Sequence, residues 1–346
     1  MKFGAIVGNP PYQEIISKTH GNKSLGKQLF PQFIQLSSKL AENYVSLITP
    51  SKWFTGEGQD GSFTPLRKWA EENNHFSKIV NIFNGKAVFP ETELGAVNYF
   101  LYNKNYNGNT EFSNVVGNSV SIDERPLFEN NVDIILSMNE MVSILNKVVK
   151  QEGFVSFTTI TCGRNAFGVV GKESEVNKIT QDEYFKNAVS LRCAHEQIKY
   201  IKKNYITKNI DLVDKWKIFT SKGNGGAGVL GGEKPVAILG KSYIGTPNSA
   251  CTDSLIPIGN FNTEIEAINL QKYMSTKFLR FMVGILKVSQ NIYQNVYQFV
   301  PIQNFNQDSD INWECSIAEI DAQLYDKYNL TEEERKIIEK MIKPME

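Results

Sequence analysis

The sequence predicts an α/β fold, and three features of its amino-terminal part support this. A short apolar run, Phe3–Val7, is stopped by Gly8 and two consecutive prolines, which indicates a buried strand. Helical and strand-like segments alternate after it. Two further strand-like runs, Ile79–Phe83 and Val97–Tyr102, are joined without room for a helix. This pattern is typical of a sheet with parallel strands whose final strand runs antiparallel to its neighbours.

The remaining elements follow from the spacing of apolar residues along the chain. The segment Gln13–Gly26 is polar and glycine-containing, so it predicts a loop, and Tyr44–Ile48 predicts a strand. The predicted helices are Lys27–Ala41, Phe63–Asn73, Ile134–Val149, Thr263–Lys277 and Phe278–Val288. Thr331 is the predicted N-cap of a last helix, with Glu334 completing a capping box.

The composition changes near Asn118, which divides the chain into three regions. Ser119–Asn131 has the character of a linker, and short strands such as Thr158–Thr161 with glycine-rich turns are expected after it. We therefore expect one domain over residues 1–118, a second over 119–310 and a helical tail over 311–346.

Composition narrows the class of protein. The 346 residues include 37 basic and 37 acidic side chains, so no overall charge draws the protein to nucleic acid. The cysteines lie far apart, without the paired spacing of a zinc site or a disulfide framework: Cys162, Cys193, Cys251 and Cys315. No apolar run approaches the ~20 residues that span a bilayer. We expect a soluble, cytoplasmic protein with reduced thiols, no metal and no membrane partner.

The candidate site is the turn Asn9-Pro10-Pro11-Tyr12, which follows the first predicted strand. The carboxyl ends of strands are where ligands bind in open α/β sheets. The Asn9 side-chain oxygen and the Pro10 carbonyl can both accept hydrogen bonds from an exocyclic amine, and Tyr12 offers a stacking face. The alternative is a rigid turn with an ordinary surface Asn and Tyr.

This turn resembles the Asn-Pro-Pro-Tyr motif of the N6-adenine DNA methyltransferases of bacterial restriction–modification systems. Similar motifs occur in methyltransferases that act on glutamine side chains or ribosomal RNA. Segments 272–281, 296–301 and 319–328 resemble the recognition region and tail of the restriction–modification methylases, which favours DNA adenine. The resemblance implies the second half of a Rossmann-like class I methyltransferase sheet, followed by an α+β target-recognition domain and a helical C-terminal tail.

The resemblance also implies roles for particular residues. The target adenine is flipped out of double-stranded DNA, Asn9 and Pro10 accept hydrogen bonds from its amine, Pro11 stiffens the turn, and Tyr12 stacks on the ring. Phe89, in the segment Val88-Phe89-Pro90, resembles the second aromatic wall of the base pocket. The alternative interpretation is that Phe89 is a buried core residue at the end of a strand.

A locally basic stretch suggests where DNA is bound. Lysines alternate with aromatic residues between Ala194 and Lys222, which suits phosphates and unstacked bases, although a solvated face with inward aromatics fits equally well. The candidate DNA-binding residues are Lys199, Lys202, Lys203, Lys217 and Lys222. The glycine-rich loop Gly223–Gly232 cannot open a helix as a dinucleotide loop should, so it indicates a loop against DNA or a long hairpin turn.

The cofactor that the resemblance implies is S-adenosylmethionine. Family members bind it with a glycine-rich loop and acidic residues on strands that precede the motif, and only eight residues precede Asn9 here. We therefore expect the cofactor-binding half to be absent from this chain and to be supplied by a separate N-terminal methyltransferase or endonuclease chain. The alternatives are a non-catalytic DNA-binding specificity subunit, a gene remnant, or a methyltransferase for protein or RNA.

Overall fold

The chain folds into two compact units. The computed structural model describes residues 2–18, 24–58, 60–92, 94–129, 132–223, 230–231, 234–287 and 292–345. The first unit is Met1–Ser143 with Gly231–Glu233, and the second is Ile144–Leu230 with Lys234–Glu346. The division thus lies at Ser143, whereas the sequence places it after Asn118. The predicted tail, 311–346, is part of the second unit.

The first unit is built on a six-stranded sheet and a separate hairpin. Its elements are β1 (Phe3–Gly8), β2 (Gln13–Lys18), β3 (Ser24–Gln28), α1 (Phe30–Leu40), β4 (Ala41–Pro50), α2 (Phe63–Glu72), β5 (Phe76–Ile82), β6 (Val97–Asn103), β7 (Thr110–Val116) and β8 (Ser119–Arg125). The strand order of the sheet is β1-β4-β6-β5-β7-β8, and within the described part of the chain β2 pairs only with β3.

Strand directions confirm the predicted α/β class. β1 is parallel to β4 and β5 is parallel to β7, while β6 is antiparallel to both β4 and β5. A parallel pair needs a crossover, and here the hairpin and α1 connect β1 to β4. The predicted antiparallel strand is therefore confirmed as β6, although it lies inside the sheet rather than at its end.

One face of this sheet carries the hydrophobic core. Side chains that alternate along the strands, such as Val45, Phe100, Ile79 and Phe112, are buried against α1 and α2. The opposite face, which we call the outer face of the first sheet, carries large apolar side chains that the described residues leave exposed: Val7, Tyr44, Tyr99, Leu101, Val120 and Ile122.

Three buried asparagines run across the middle of the sheet. Asn98 of β6 pairs in register with Asn81 of β5, and Asn81 pairs with Asn114 of β7. The Ser51 hydroxyl donates to Asn81 Oδ1 at 2.6 Å, and Asn98 Nδ2 donates back to Ser51 Oγ at 3.3 Å. The amide groups of Asn81 and Asn114 both donate to the Ser137 carbonyl, at 3.1 and 2.5 Å. These bonds join the segment after β4, the end of β5 and the start of β6, and they attach β5 and β7 to the Ser137 carbonyl.

The second unit has two small sheets and a group of helices, with α3 crossing the division. Its elements are α3 (Asn139–Val149), α4 (Glu173–Val176), β9 (Thr180–Gln181), β10 (Ala188–Arg192), β11 (Ile198–Lys202), α5 (Ile210–Val213), β12 (Trp216–Ser221), β13 (Ser242–Gly245), β14 (Ser249–Cys251), β15 (Leu255–Phe261), α6 (Glu264–Ser275), α7 (Lys277–Leu286), α8 (Ile317–Lys327) and α9 (Glu332–Met341). The sheets have the orders β14-β10-β11-β9 and β13-β12-β15.

The carboxyl-terminal helices are fixed to the rest of this unit. Asp321 of α8 is buried, and its carboxylate accepts hydrogen bonds from the backbone N–H groups of Lys277 and Phe278 at 2.9 and 2.8 Å. Asp321 therefore satisfies free donors at the first turn of α7. The predicted capping box of Thr331 and Glu334 is confirmed at the start of α9.

Some sequence predictions are corrected. Residues Gln13–Gly26, predicted as a loop, contain most of the hairpin of β2 and β3, and the predicted linker contains β8. The segment Thr158–Thr161, predicted as a strand, begins within a 3₁₀ turn at Phe157–Thr159. Cross-strand partners decide these cases, and no local pattern of apolar residues reveals them. Most of the predicted loop Gly223–Gly232 lies outside the described residues.

Replacing Asn81 with Leu should lower the free energy of unfolding by about 2 kcal/mol, because Ser51 and the Ser137 carbonyl each lose a buried partner. Urea denaturation measures the change. Asn43→Leu, at an exposed position of β4, is the control. An Asn81 variant as stable as that control would contradict the structural role of this network.

Replacing Asp321 with Ala should cost about 1–2 kcal/mol, because two N–H groups at the start of α7 lose their acceptor. Asp321→Asn keeps one side-chain oxygen, so its free energy of unfolding should lie between those of Asp321→Ala and the unaltered protein. Thermal unfolding compares these variants with Asp308→Ala, at an exposed position. Equal unfolding midpoints for Asp321→Ala and Asp308→Ala would show that α7 does not depend on this carboxylate.

Candidate functional site

The predicted turn Asn9–Tyr12 lies at the carboxyl end of β1, on the edge of the first sheet. β1 ends at Gly8, which pairs with Leu47, whereas β4 continues to Pro50. The turn therefore leaves the sheet beside the last residues of β4. Asn9 is exposed and Pro10 is buried, so the structure presents the Asn9 side chain from a fixed backbone.

Tyr12 is held by the start of α1. Its carbonyl accepts a hydrogen bond from the Leu29 N–H at 3.0 Å, and its half-buried ring packs edge-on against Phe30 with centroids 6.4 Å apart. The Tyr12 hydroxyl is buried and has no hydrogen-bond partner among the described residues. Burial raises the pKa of this phenol above its ordinary value. Tyr12 thus borders the turn, and its packing against Phe30 fixes the orientation of its ring.

A loop after β4 approaches the same region, and the sequence analysis overlooked it. Asp60 accepts hydrogen bonds from Ser62 and, at 2.8 Å, from the backbone N–H of Gln28 at the end of β3. Lys52 is the second residue after β4, and its Nζ lies 5.7 Å from the centre of the Phe63 ring. Burial lowers the pKa of Lys52, and Asp60 opposes this change. The strand-end rule that identified Asn9 would also have identified Lys52.

Phe89 lies at the same edge of the sheet but away from Tyr12. It follows β5, and its N–H donates to the Gly85 carbonyl at 2.8 Å. Two strands separate β5 from β1, which corresponds to about 14 Å at the usual strand spacing. The described residues include no ring contact between Phe89 and Tyr12. Phe89 as a second base-stacking wall stays a prediction.

The predicted DNA-binding lysines do not form one surface. Three of them are paired with carboxylates at these distances from Nζ: Lys199 to Asp182 2.7 Å, Lys203 to Asp214 2.7 Å and Lys222 to Asp253 4.0 Å. Lys202 is exposed, and no carboxylate of the described residues lies within ion-pair distance of it. The lysine pattern therefore contains residues in quite different environments.

Lys217, one of the predicted DNA-binding lysines, is buried inside the second unit. Its side chain is buried, with 0% of the residue exposed, and its Nζ donates to the carbonyls of Val213, Lys215 and Thr246 at 3.2, 2.7 and 3.3 Å. Burial lowers the pKa of Lys217 to about 8. A phosphate cannot reach this ammonium, whose task is to satisfy backbone carbonyls inside the second unit.

The described residues lack the groupings typical of a metal site or a membrane-spanning helix. They contain no group of three or more His, Cys, Asp or Glu arranged to hold a metal ion. No described helix is long and apolar enough to cross a membrane. Cys162, Cys193, Cys251 and Cys315 carry free thiols.

Known proteins match part of this chain in sequence. Residues 1–89 match the model of the Eco57I restriction-modification methylase family. The chain is 32% identical over 169 residues to an uncharacterized adenine-specific methylase of Mycoplasma pneumoniae. That match covers 46% of this chain and 38% of the relative, so the chain spans about two fifths of its relative's length.

Two solved structures show a weaker likeness. The type IIG restriction endonuclease BpuSI is 10% identical, with a TM-score of 0.37, over 92% of this chain and 50% of that protein. The type IIL restriction-modification enzyme MmeI, solved in complex with DNA, is 8% identical, with a TM-score of 0.41, over 96% of this chain and 50% of that protein. Because both TM-scores are low, the similarity of this chain to known proteins rests on the two sequence matches. The two sequence matches confirm the resemblance to adenine-specific methylases of restriction–modification systems, to whose Eco57I family model residues 1–89 are similar.

Proposed function

We propose that this chain carries the base-binding site of an adenine-specific DNA methyltransferase. The observation that carries the proposal is the exposed Asn9, which follows β1 on a backbone stiffened by Pro10 and Pro11 and bordered by the anchored Tyr12. The methylase family model that residues 1–89 match and the adenine-specific relative both support methyl transfer to adenine.

The turn provides two acceptors for one amine. An adenine flipped out of the duplex presents two N–H donors on its exocyclic nitrogen. The Asn9 side-chain oxygen and the Pro10 carbonyl accept these donors, which orients the nitrogen lone pair away from the turn. The Tyr12 ring lies beside them and stacks on the base. Positioning and hydrogen bonds to the amine are therefore what these residues contribute to the rate.

We assign no S-adenosylmethionine contact to the described residues of this edge. Methyltransferases of this family generally use this cofactor, which supplies the methyl group when bound. A carboxylate commonly holds ribose hydroxyls in such nucleotide sites. Asp60, in the loop after β4, already accepts hydrogen bonds from Ser62 and Gln28. We therefore assign to the residues of this edge only the binding and orientation of the target base.

A further polypeptide segment is proposed to bring the cofactor. The outer face of the first sheet exposes apolar residues, including Val7 at 80% and Ile122 at 64%, and β1 is paired on one side only among the described residues. Sheets with parallel strands are usually covered on both faces. A separate methyltransferase or endonuclease chain that covers this face and extends the sheet at β1 would account for both features.

Transfer of labelled methyl groups tests the proposed function. The full chain is incubated with radiolabelled S-adenosylmethionine and unmethylated bacterial genomic DNA, alone and after co-expression with the reading frame immediately upstream. N6-methyladenine in the DNA is the expected product. Label in protein or RNA instead would refute the proposed substrate. DNA binding without transfer in both preparations would favour a non-catalytic specificity subunit.

Asn9→Ala should lower the rate of methyl transfer by about 100-fold, or roughly 3 kcal/mol, because the amine loses one acceptor in the transition state. Asn9→Asp keeps an oxygen acceptor and should retain more activity. The exposed position predicts unchanged unfolding temperatures for both. Asn43→Ala, at another exposed asparagine, is the matched control, and an Asn9→Ala enzyme as fast as this control would rule out the proposed role.

Tyr12→Phe should raise the free energy of unfolding by about 1 kcal/mol, because the lost hydroxyl is buried without a described partner. Its ring remains, so methyl transfer should persist. Tyr12→Ala should lose stacking worth ~1–3 kcal/mol in DNA affinity or rate. Calorimetry and the transfer assay give the two quantities. A Phe variant without activity would mean that the hydroxyl, and not the ring, contacts the substrate.

A further inference from the structure

The four-stranded sheet of the second unit has one face that is only partly buried. Pairing in register places Arg192 of β10 beside Ile198 of β11, and Tyr200 of β11 beside Gln181 of β9. Lys202 follows Tyr200 by two positions and so points to the same side. We call these five residues the β10–β11 face.

Aromatic residues are exposed on this face. Tyr184, which is 65% exposed, packs edge-on against Tyr200 with ring centroids 5.6 Å apart. Ile198 beside them is 47% exposed. On the opposite side of the same strands, Val189, Leu191 and Ile201 are completely buried in the core. The sheet thus has an ordinary inner face and an outer face whose aromatic rings contact solvent.

The positive charges of this region have no carboxylate partner. The Arg192 guanidinium lies 4.5 Å from the centre of the Tyr243 ring, and Lys241 Nζ lies 6.0 Å from it. Among the described residues no ion pair is formed by Arg192, Lys202 or Lys241. Charges left unpaired beside tyrosines suit an anionic partner that presents phosphate oxygens.

Lys199 shows the contrast on the same strand. It pairs in register with Leu191, so it belongs to the inner side of the sheet, and its Nζ is bound to Asp182 at 2.7 Å. Its side chain is 16% exposed. Lys199 and Lys202 therefore have equal charge, but only Lys202 offers that charge to a ligand on the outer face.

The hairpin that joins β10 to β11 ends this face with a constrained tip. His195 and Glu196 both have left-handed backbone conformations, with φ of 54° and 62°. Such conformations are costly for residues other than glycine and concentrate at functional sites. Glu196 accepts a hydrogen bond from the Tyr243 hydroxyl at 2.5 Å, so the tip is attached to the ring under Arg192.

We propose that the β10–β11 face, together with Tyr184, Lys241 and Tyr243, is the surface that contacts the sugar–phosphate backbone of duplex DNA. Arginine, lysine and tyrosine are among the side chains that bind phosphate oxygens, and unpaired charges bind them without first breaking an ion pair. This inference rests on the proposed function, since it names the DNA-binding surface. It places the DNA contact on one face of one sheet, whereas the sequence analysis predicts a contact formed by five lysines.

Salt-dependent DNA binding tests the inference. Fluorescence anisotropy follows a labelled duplex of randomised sequence as the full chain is added at several salt concentrations. Lys202→Gln should weaken binding about tenfold at low salt and reduce the slope of log affinity against log salt by about 1. Lys199→Gln removes the same charge from the inner side and should change affinity less than about twofold. Arg192→Gln should behave as Lys202→Gln does.

The outcomes separate this inference from the proposed function. If the unaltered protein binds DNA and the Lys202 and Lys199 variants lose equal affinity, the face is not the DNA surface and the inference fails alone. If DNA binding follows the expected pattern but no methyl group is transferred, the proposed function fails alone. A protein that binds no duplex at any salt concentration overturns both. Circular dichroism on each variant shows that the fold is unchanged.

Discussion

The buried asparagine and serine contacts at the strand ends are the constraint on which the first unit depends. Asn81 and Asn98 are completely excluded from water, so their amide groups are stable only when each meets a partner. Ser51 supplies one for both, and it follows β4 directly. The end of β4 is therefore fixed against β5 and β6. Because β4 is the one strand that β1 pairs with among the described residues, the position of Asn9 depends on this polar network.

Much of this unit could be predicted from the sequence. The strand before Asn9, the helices α1 and α2 and the antiparallel β6 follow from apolar spacing and from glycine and proline, which act locally. The hairpin of β2 and β3 and the strand β8 could not be predicted, because polar strands are stabilised by their partners. Within the candidate site, the strand-end rule found Asn9–Tyr12, whereas the position of Phe89 depends on strand order, which no local pattern contains.

The lysines of the second unit show a different limit. Their spacing suggests one basic surface, but a strand sends alternate side chains to opposite faces. The carboxylates that neutralise Lys199 and Lys203 lie 17 and 11 residues away in the sequence. Lys217 is buried among carbonyls of three separate residues. A count of charges in a segment cannot distinguish these environments, since each is determined by tertiary packing.

The contacts of the last residues have a consequence for biosynthesis. Asp321 binds the start of α7 from more than forty residues downstream, and the backbone of Val236 pairs with Met341 and Lys343. Arg280, buried in α7, donates to the Lys343 carbonyl at 2.6 Å. Domains of nascent chains fold in order as they emerge from the ribosome. The second unit therefore cannot complete its packing until the chain has been synthesised through Lys343, and the first turn of α7 lacks its carboxylate acceptor until Asp321 has emerged.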